Sequence, residues 1–257
     1  EKVWKRSEQL GEKGYTIVVH GKYKHEETRA TFSHASREAP TLVVRDLEMA
    51  KLLSRYLKKE IPEQQFYIDF KGRYSDTFQV ERDLMRIGVV NQTTMLATET
   101  QEIAEFLKVA MQEAYGTDSI NEHFADTRDT LCYATSENQR SVYSLIESRG
   151  DLALIVGGYN SSNTSHLVEL CEQHLPAFHI KDAGEILDQN SIRHLDYKSG
   201  QVIETLDWFP HNREKVDILV TAGASCPDAL VDQVLRKVAS LSKLDIEVSS
   251  AIESFSL

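Results

Sequence analysis

The 257-residue chain has only three cysteines, Cys132, Cys171 and Cys226, an odd number with no C-x-x-C pair. Neither a disulfide framework nor a zinc knuckle is described by such spacing, and a reducing compartment fits it best. Positive charge is also scarce. Lys and Arg number 29 against 40 Asp and Glu, a net charge of −11. A broad basic face for duplex nucleic acid is therefore not expected, and an anionic ligand would need a local site. No apolar run approaches the ~18 residues of a membrane-crossing helix, and no signal segment opens the chain, so no membrane partner is expected. There is no Walker loop, no G-x-G-x-x-G, no G-x-S-x-G, no kinase motif set and no repeat of solenoid period; the familiar nucleotide chemistries are disfavoured. The chain begins Glu1-Lys2-Val3-Trp4 without an initiator Met, which predicts a missing upstream portion.

What is present is ordinary for a globular protein: 41% hydrophobic and 27% charged residues, in a length that favours two compact domains. Four times a short apolar, β-branched segment runs through small and hydroxyl residues into a helical pattern. The strands of these units are Tyr15 to Val19, Ile87 to Val90, Leu152 to Val156 and Val216 to Val220. In the second unit a helix is expected from about Glu99 to Tyr115, with Thr98 and Gln101 spaced as a capping box. The alternation predicts an α/β protein with small, mainly parallel sheets flanked by helices, and function at the strands' C-terminal ends. The polar stretch from about Lys58 to Arg82 reads as the edge of a first domain covering residues 1–90, followed by a second over 91–257. Ile192 to Thr205, with Lys198-Ser199-Gly200 at its centre, reads as a β-hairpin.

Four loops could carry chemistry. Asn160-Ser161-Ser162-Asn163-Thr164 follows a buried strand and a Gly pair, so hydroxyls, amides and helix-start N–H groups converge on a point that favours anions. One cap residue, Ser162 or Asn163, would account for part of it, yet four consecutive polar residues exceed that need. Gly223-Ala224-Ser225 repeats the arrangement, with the alternative that it merely leads a helix starting at Pro227. His25-Glu26-Glu27-Thr28 offers an imidazole to hold an anion and carboxylates to deliver a proton, or simply a favourable first helical turn. Asn91-Gln92-Thr93-Thr94 adds a further donor-rich loop. Cys132 precedes a helix containing Val142, Leu145 and Ile146, where a thiol ionises more easily and could serve as metal ligand or nucleophile; Cys171 and Cys226 read as structural.

Taken together, Gly21-Lys22-Tyr23-Lys24-His25-Glu26-Glu27-Thr28, Asn91-Gln92-Thr93-Thr94-Met95, Cys132-Tyr133-Ala134-Thr135, Gly158-Tyr159-Asn160-Ser161-Ser162-Asn163-Thr164 and Gly223-Ala224-Ser225-Cys226-Pro227-Asp228 closely resemble the family of 4-hydroxy-3-methylbut-2-enyl diphosphate reductase, in its plant and cyanobacterial branch. The resemblance implies reductive dehydroxylation of an allylic diphosphate to isopentenyl and dimethylallyl diphosphate. It implies a [4Fe-4S] cluster held by three cysteines, with Cys132 matching the third. His25 matches a diphosphate-contacting histidine, Glu27 the proton-supplying carboxylate, and Thr93, with Thr94 beside it, a threonine near the reacting end. Ser161, Ser162, Asn163 and Ser225 match the diphosphate cradle. It further implies a ferredoxin- or flavodoxin-type electron donor, a bacterial cytoplasm or else a plastid stroma, and two remaining domains of a trefoil-like three-domain arrangement. The family's first two cluster cysteines, the second just ahead of the segment matched by Lys2-Val3-Trp4, are expected upstream of this chain. The rival expectations are a cluster-free transferase or phosphatase, and a non-catalytic binding module.

Overall fold

The computed structural model describes residues 2–92, 95–125, 133–210 and 215–241, with the side chains of 133–135 left out. The chain divides into two compact units, Glu1–Ser136 and Glu137–Leu257.

The first unit runs α1 (Lys2–Glu12), β1 (Thr16–His20), α2 (Glu26–Glu38), β2 (Thr41–Val44), α3 (Leu47–Leu57), α4 (Glu63–Asp69), α5 (Val80–Asp83), β3 (Ile87–Asn91), α6 (Ala97–Tyr115), α7 (Ile120–His123) and β4 (Phe124–Ala125). Its sheet has the order β2-β1-β3-β4, with every pairing parallel. β1 lies inside this sheet and is buried along its length, which explains its unbroken apolar run: Ile17 and Val19 pack with Val3 and Leu10 of α1, whereas Val18 faces Leu53 and Leu107 of α3 and α6. Asp46 starts α3 by accepting from Met49 N at 2.9 Å.

Three expectations are corrected here. The first domain does not end at residue 90, because β3 pairs with β1 over five residues and α6 packs against α3, so the division falls at Ser136. The stretch from Lys58 to Arg82 is not a domain edge. Phe66, Phe70 and Phe78 are buried in the core, Phe66 stacking on Phe70 at 4.6 Å and on Phe78 at 5.3 Å, while Ser75 N donates to Thr41 O at 2.8 Å and covers the outer side of β2. Nor is there a capping box at Thr98: α6 begins at Ala97 behind Leu96, whose burial in the interior sets the helix start without a side-chain cap.

The second unit carries most of α8 (Tyr133–Glu147), then β5 (Leu152–Val156), α9 (Ser162–Glu172), β6 (Ala177–Ile180), β7 (Ser191–Asp196), β8 (Gln201–Leu206), β9 (Ile218–Ala222) and α10 (Asp228–Leu241). The sheet order is β8-β7-β6-β5-β9. β5 is parallel to both β6 and β9, and the expected hairpin is there as antiparallel β7 and β8. Alternation along β5 fills two cores, Ala153 and Ile155 against Leu167 and Cys171 of α9, Leu152, Leu154 and Val156 against Val234 of α10. The last strand starts two residues later than the apolar run suggested, at Ile218.

Candidate functional site

Each unit has a point where the chain leaves one strand to one side of the sheet and returns on the other. Such switch points open a crevice at the strands' carboxyl ends. In the first unit it lies between β1 and β3, in the second between β5 and β9.

At the first, Gly21 N continues the ladder to Val44 O at 3.0 Å while Gln92 N bonds His20 O at 3.0 Å, so the two strand exits diverge from adjacent positions. His25 stands at the N-cap of α2 but makes no side-chain cap bond, and its Nδ1 is buried without a hydrogen-bond partner. Glu27 follows in the first turn, half-buried, and its Oε2 accepts from Gln92 Nε2 at 3.5 Å. Gln92 Oε1 in turn accepts from the buried Thr28 hydroxyl. The amide is thereby orientated with its N–H₂ towards the carboxylate. Gly21 permits the approach, since a Cβ there would lie 2.7 Å from Thr28 Oγ1 and 2.9 Å from Gln92 Oε1. The start of α2 thus carries a half-buried carboxylate held by Gln92 and an imidazole with an unused ring nitrogen, groups that suit proton delivery and anion contact.

At the second, Ser161 and neither Ser162 nor Asn163 caps α9: its Oγ accepts from Thr164 N at 3.3 Å and from Thr164 Oγ1 at 2.9 Å. Ser162 opens the helix half-buried. Asn163 is only 6% exposed, and neither its Nδ2 nor its Oδ1 has a hydrogen-bond partner. Leaving both ends of a buried amide unmade costs free energy that a bound polar ligand would recover. The neighbouring exit from β9 is tied in by Gly223 N to Val156 O at 2.9 Å, followed by a tight turn in which Cys226 N reaches Gly223 O at 2.8 Å and Ser225 is exposed. Asn138 of α8 clasps the same strand end, Nδ2 to Ala222 O at 3.0 Å.

The structure thus brings Ser161, Asn163 and the Ser225 turn to one switch point and His25 with Glu27 to the other. Thr93, Thr94 and Cys132 lie outside the described residues. Sequence reasoning counted Gln92 and Thr164 only as members of donor-rich loops and did not single out Asn138, whose contact with Ala222 joins segments 84 positions apart.

Neither described thiol fits a metal ligand. Cys171 is buried in the apolar face of α9, and desolvation pushes its thiol up to about 11. Burial, then the Asp228 carboxylate, also raises that of Cys226. Among the described residues no three His, Cys, Asp or Glu side chains gather so as to hold a metal, so they do not by themselves fit an iron–sulfur cluster. No helix among them is long and apolar enough to cross a membrane.

Comparison with known proteins shows what the chain is similar to. The family model described as LytB protein matches residues 1–239. The 4-hydroxy-3-methylbut-2-enyl diphosphate reductase of Picosynechococcus sp. is 40% identical over 238 residues, 92% of this chain and 57% of the relative. The chloroplastic reductase of that name from Botryococcus braunii is 41% identical over 244 residues, 92% of this chain and 47% of the relative. Among solved structures, the E-1-hydroxy-2-methyl-but-2-enyl-4-diphosphate reductase from Plasmodium falciparum has the same fold over 93% of this chain and 57% of its own, with a TM-score of 0.58 at 18% identity. The chain therefore spans about half the length of the relatives it matches.

Proposed function

The chain belongs to the LytB protein family, and from that premise we propose that it takes part in the reductive dehydroxylation of 4-hydroxy-3-methylbut-2-enyl diphosphate. In that reaction the allylic C–O bond breaks, the hydroxyl leaves as water, and two electrons and two protons are taken up. The products are isopentenyl and dimethylallyl diphosphate. The observation that carries the reading is Asn163, a buried amide with both ends unmade in the first turn of α9, beside the capping Ser161. Its donor and acceptor, with the Ser161, Ser162 and Ser225 hydroxyls and the N–H groups at the helix start, suit a diphosphate. His25 supplies a further contact through its unpaired nitrogen, Glu27 is the proton donor, and Gln92 holds the carboxylate that donates. Thr93, with Thr94, is the candidate contact at the hydroxyl end. An iron–sulfur cluster, as the family uses, would supply the electrons, with Cys132 as its candidate ligand from this chain and a ferredoxin- or flavodoxin-type protein as donor. The cyanobacterial and chloroplastic relatives support a bacterial cytoplasm or a plastid stroma as its compartment.

The test is turnover by protein expressed from its gene without oxygen, supplied with the allylic diphosphate and a viologen reductant, together with iron and sulfide analysis. Both five-carbon products are expected, and Glu27→Gln should lower kcat by about 10²–10⁴-fold at similar KM. Protein that binds pyrophosphate but contains no iron and reduces nothing would favour a cluster-free binding module. Protein that does neither would refute the reading.

A further inference from the structure

The loop bearing Ser161 and Asn163 leaves β5 at Gly157, and β6 ties down both polar atoms of that residue's backbone. Its N–H donates to Ile180 O at 2.9 Å, and its carbonyl lies 3.1 Å from Nε2 of His179. A carbonyl can only accept, so Nε2 is the protonated nitrogen. His179 is fully buried in the middle of β6, and its Nδ1 has no hydrogen-bond partner. Burial pushes the imidazole's pKa down, more than the Gly157 and Gly158 backbone contacts raise it. The ring is therefore neutral and held in one tautomer. On its other side it receives Tyr159 from the loop edge to face, with centroids 5.2 Å apart and an interplanar angle of 87°. An apolar side chain at this strand position would avoid burying an unpaired nitrogen. The compensating feature is that one imidazole fixes two consecutive parts of the loop, the Gly157 carbonyl and the Tyr159 ring.

We propose that His179 is the positioning residue of the anion loop: by holding Gly157 and Tyr159 it sets residues 158–163 in their ligand-ready conformation before any diphosphate arrives. His179 itself does not touch the ligand. The inference rests on the reading of this loop as a diphosphate site. A loop already ordered loses less freedom on binding, so the residue's contribution is read as affinity.

The test uses the full chain and inorganic pyrophosphate. In the wild type, imidazole ¹⁵N shifts should show Nε2 protonated and Nδ1 bare at neutral pH. His179→Leu should weaken pyrophosphate binding about tenfold, the effect of one lost net hydrogen bond, and speed amide exchange at 158–161. His179→Gln, whose Nε2 reaches the same carbonyl, should restore both to within about twofold. A folded Leu variant with unchanged affinity and exchange overturns the proposal, as does a Gln variant no better than Leu or a wild-type ring protonated on Nδ1 alone. If the Leu variant fails to fold, the Gln variant and the tautomer decide. Wild-type protein that binds no pyrophosphate refutes the diphosphate reading and this proposal with it, whereas wild-type binding with an indifferent Leu variant refutes this proposal alone.

Discussion

Gly223→Ala separates two reasons for a glycine at the exit of β9. The φ of Gly223 is outside the left-handed region, which among the described glycines is occupied by Gly14, Gly72, Gly116 and Gly200. Alanine therefore meets no backbone penalty there. In open space it would stabilise the protein by about 0.4–1 kcal/mol by restricting the unfolded chain. The space is not open. A Cβ would press into Thr164 Oγ1, lie 3.3 Å from Thr164 Cβ and stand 3.7 Å from Ser161 Oγ. Thr164 has nowhere to retreat, being fully buried and bonded to Ser161 Oγ at 2.9 Å, with Gly157 on its other side, where a Cβ would be 2.5 Å from the same Oγ1. Overpacking of about 1–3 kcal/mol should thus outweigh the entropic gain and reverse its sign. Urea unfolding of the wild type and Gly223→Ala gives the difference, and pyrophosphate titration should show affinity falling with it, since Thr164 cannot move without Ser161. In a Thr164→Ala background the obstructing Oγ1 is gone, so the same substitution should cost at least about 1 kcal/mol less. A Gly223→Ala protein as stable as the wild type, or an equal loss in both backgrounds, would refute the argument.

Three further outcomes are expected. Asn163→Ala leaves no protein partner unpaired, so it should change unfolding free energy by less than about 1 kcal/mol while weakening pyrophosphate binding about tenfold or more; calorimetry showing the reverse pattern would count against a ligand-directed amide. His179 and His194, whose pKa values are pushed below the ordinary 6.5 chiefly by burial, stay neutral in the fold while the unfolded chain takes up protons. The stability they contribute is complete above pH 6.5 and is lost as pH falls from there through their depressed folded values. Urea midpoints between pH 8 and 5 should therefore drop on acidification, less steeply in His179→Gln, and equal slopes would contradict the assignment. Finally, with its thiol at about 11, Cys171 should alkylate at pH 8 about two orders of magnitude more slowly than an ordinary cysteine until the protein is unfolded; labelling of native protein at the free rate would sink that expectation.

Local pattern determined much of this protein. The unbroken run Leu152 to Val156, short, β-branched at two positions and flanked by Gly150 and Gly157, reads as a strand covered on both faces, and the hairpin around Lys198-Ser199-Gly200 carries its own turn chemistry, Asp196 accepting from Lys198 N and Ser199 N at 3.2 Å each, with Gly200 at φ 69°. The donor-rich stretches were legible as loops for a similar reason: small and polar residues crowded between an apolar run and a helical pattern mark where a strand hands over to a helix. What the sequence left open depends on which distant segments meet. The choice of Ser161 as the cap over Ser162 or Asn163 follows from where Thr164 is wedged, between the ends of β5 and β9. The partnership of Gln92 with Glu27 spans 65 positions and exists because β3 pairs with β1, the same pairing that moves the boundary from residue 90 to Ser136. The aromatic residues within a charged stretch at Phe66, Phe70 and Phe78 belong to a core whose other side comes from α3 and α6. Periodicity and turn preference act within a few residues of the chain, so they determine elements; strand order and side-chain packing act across it, and they alone decide which loops share a crevice.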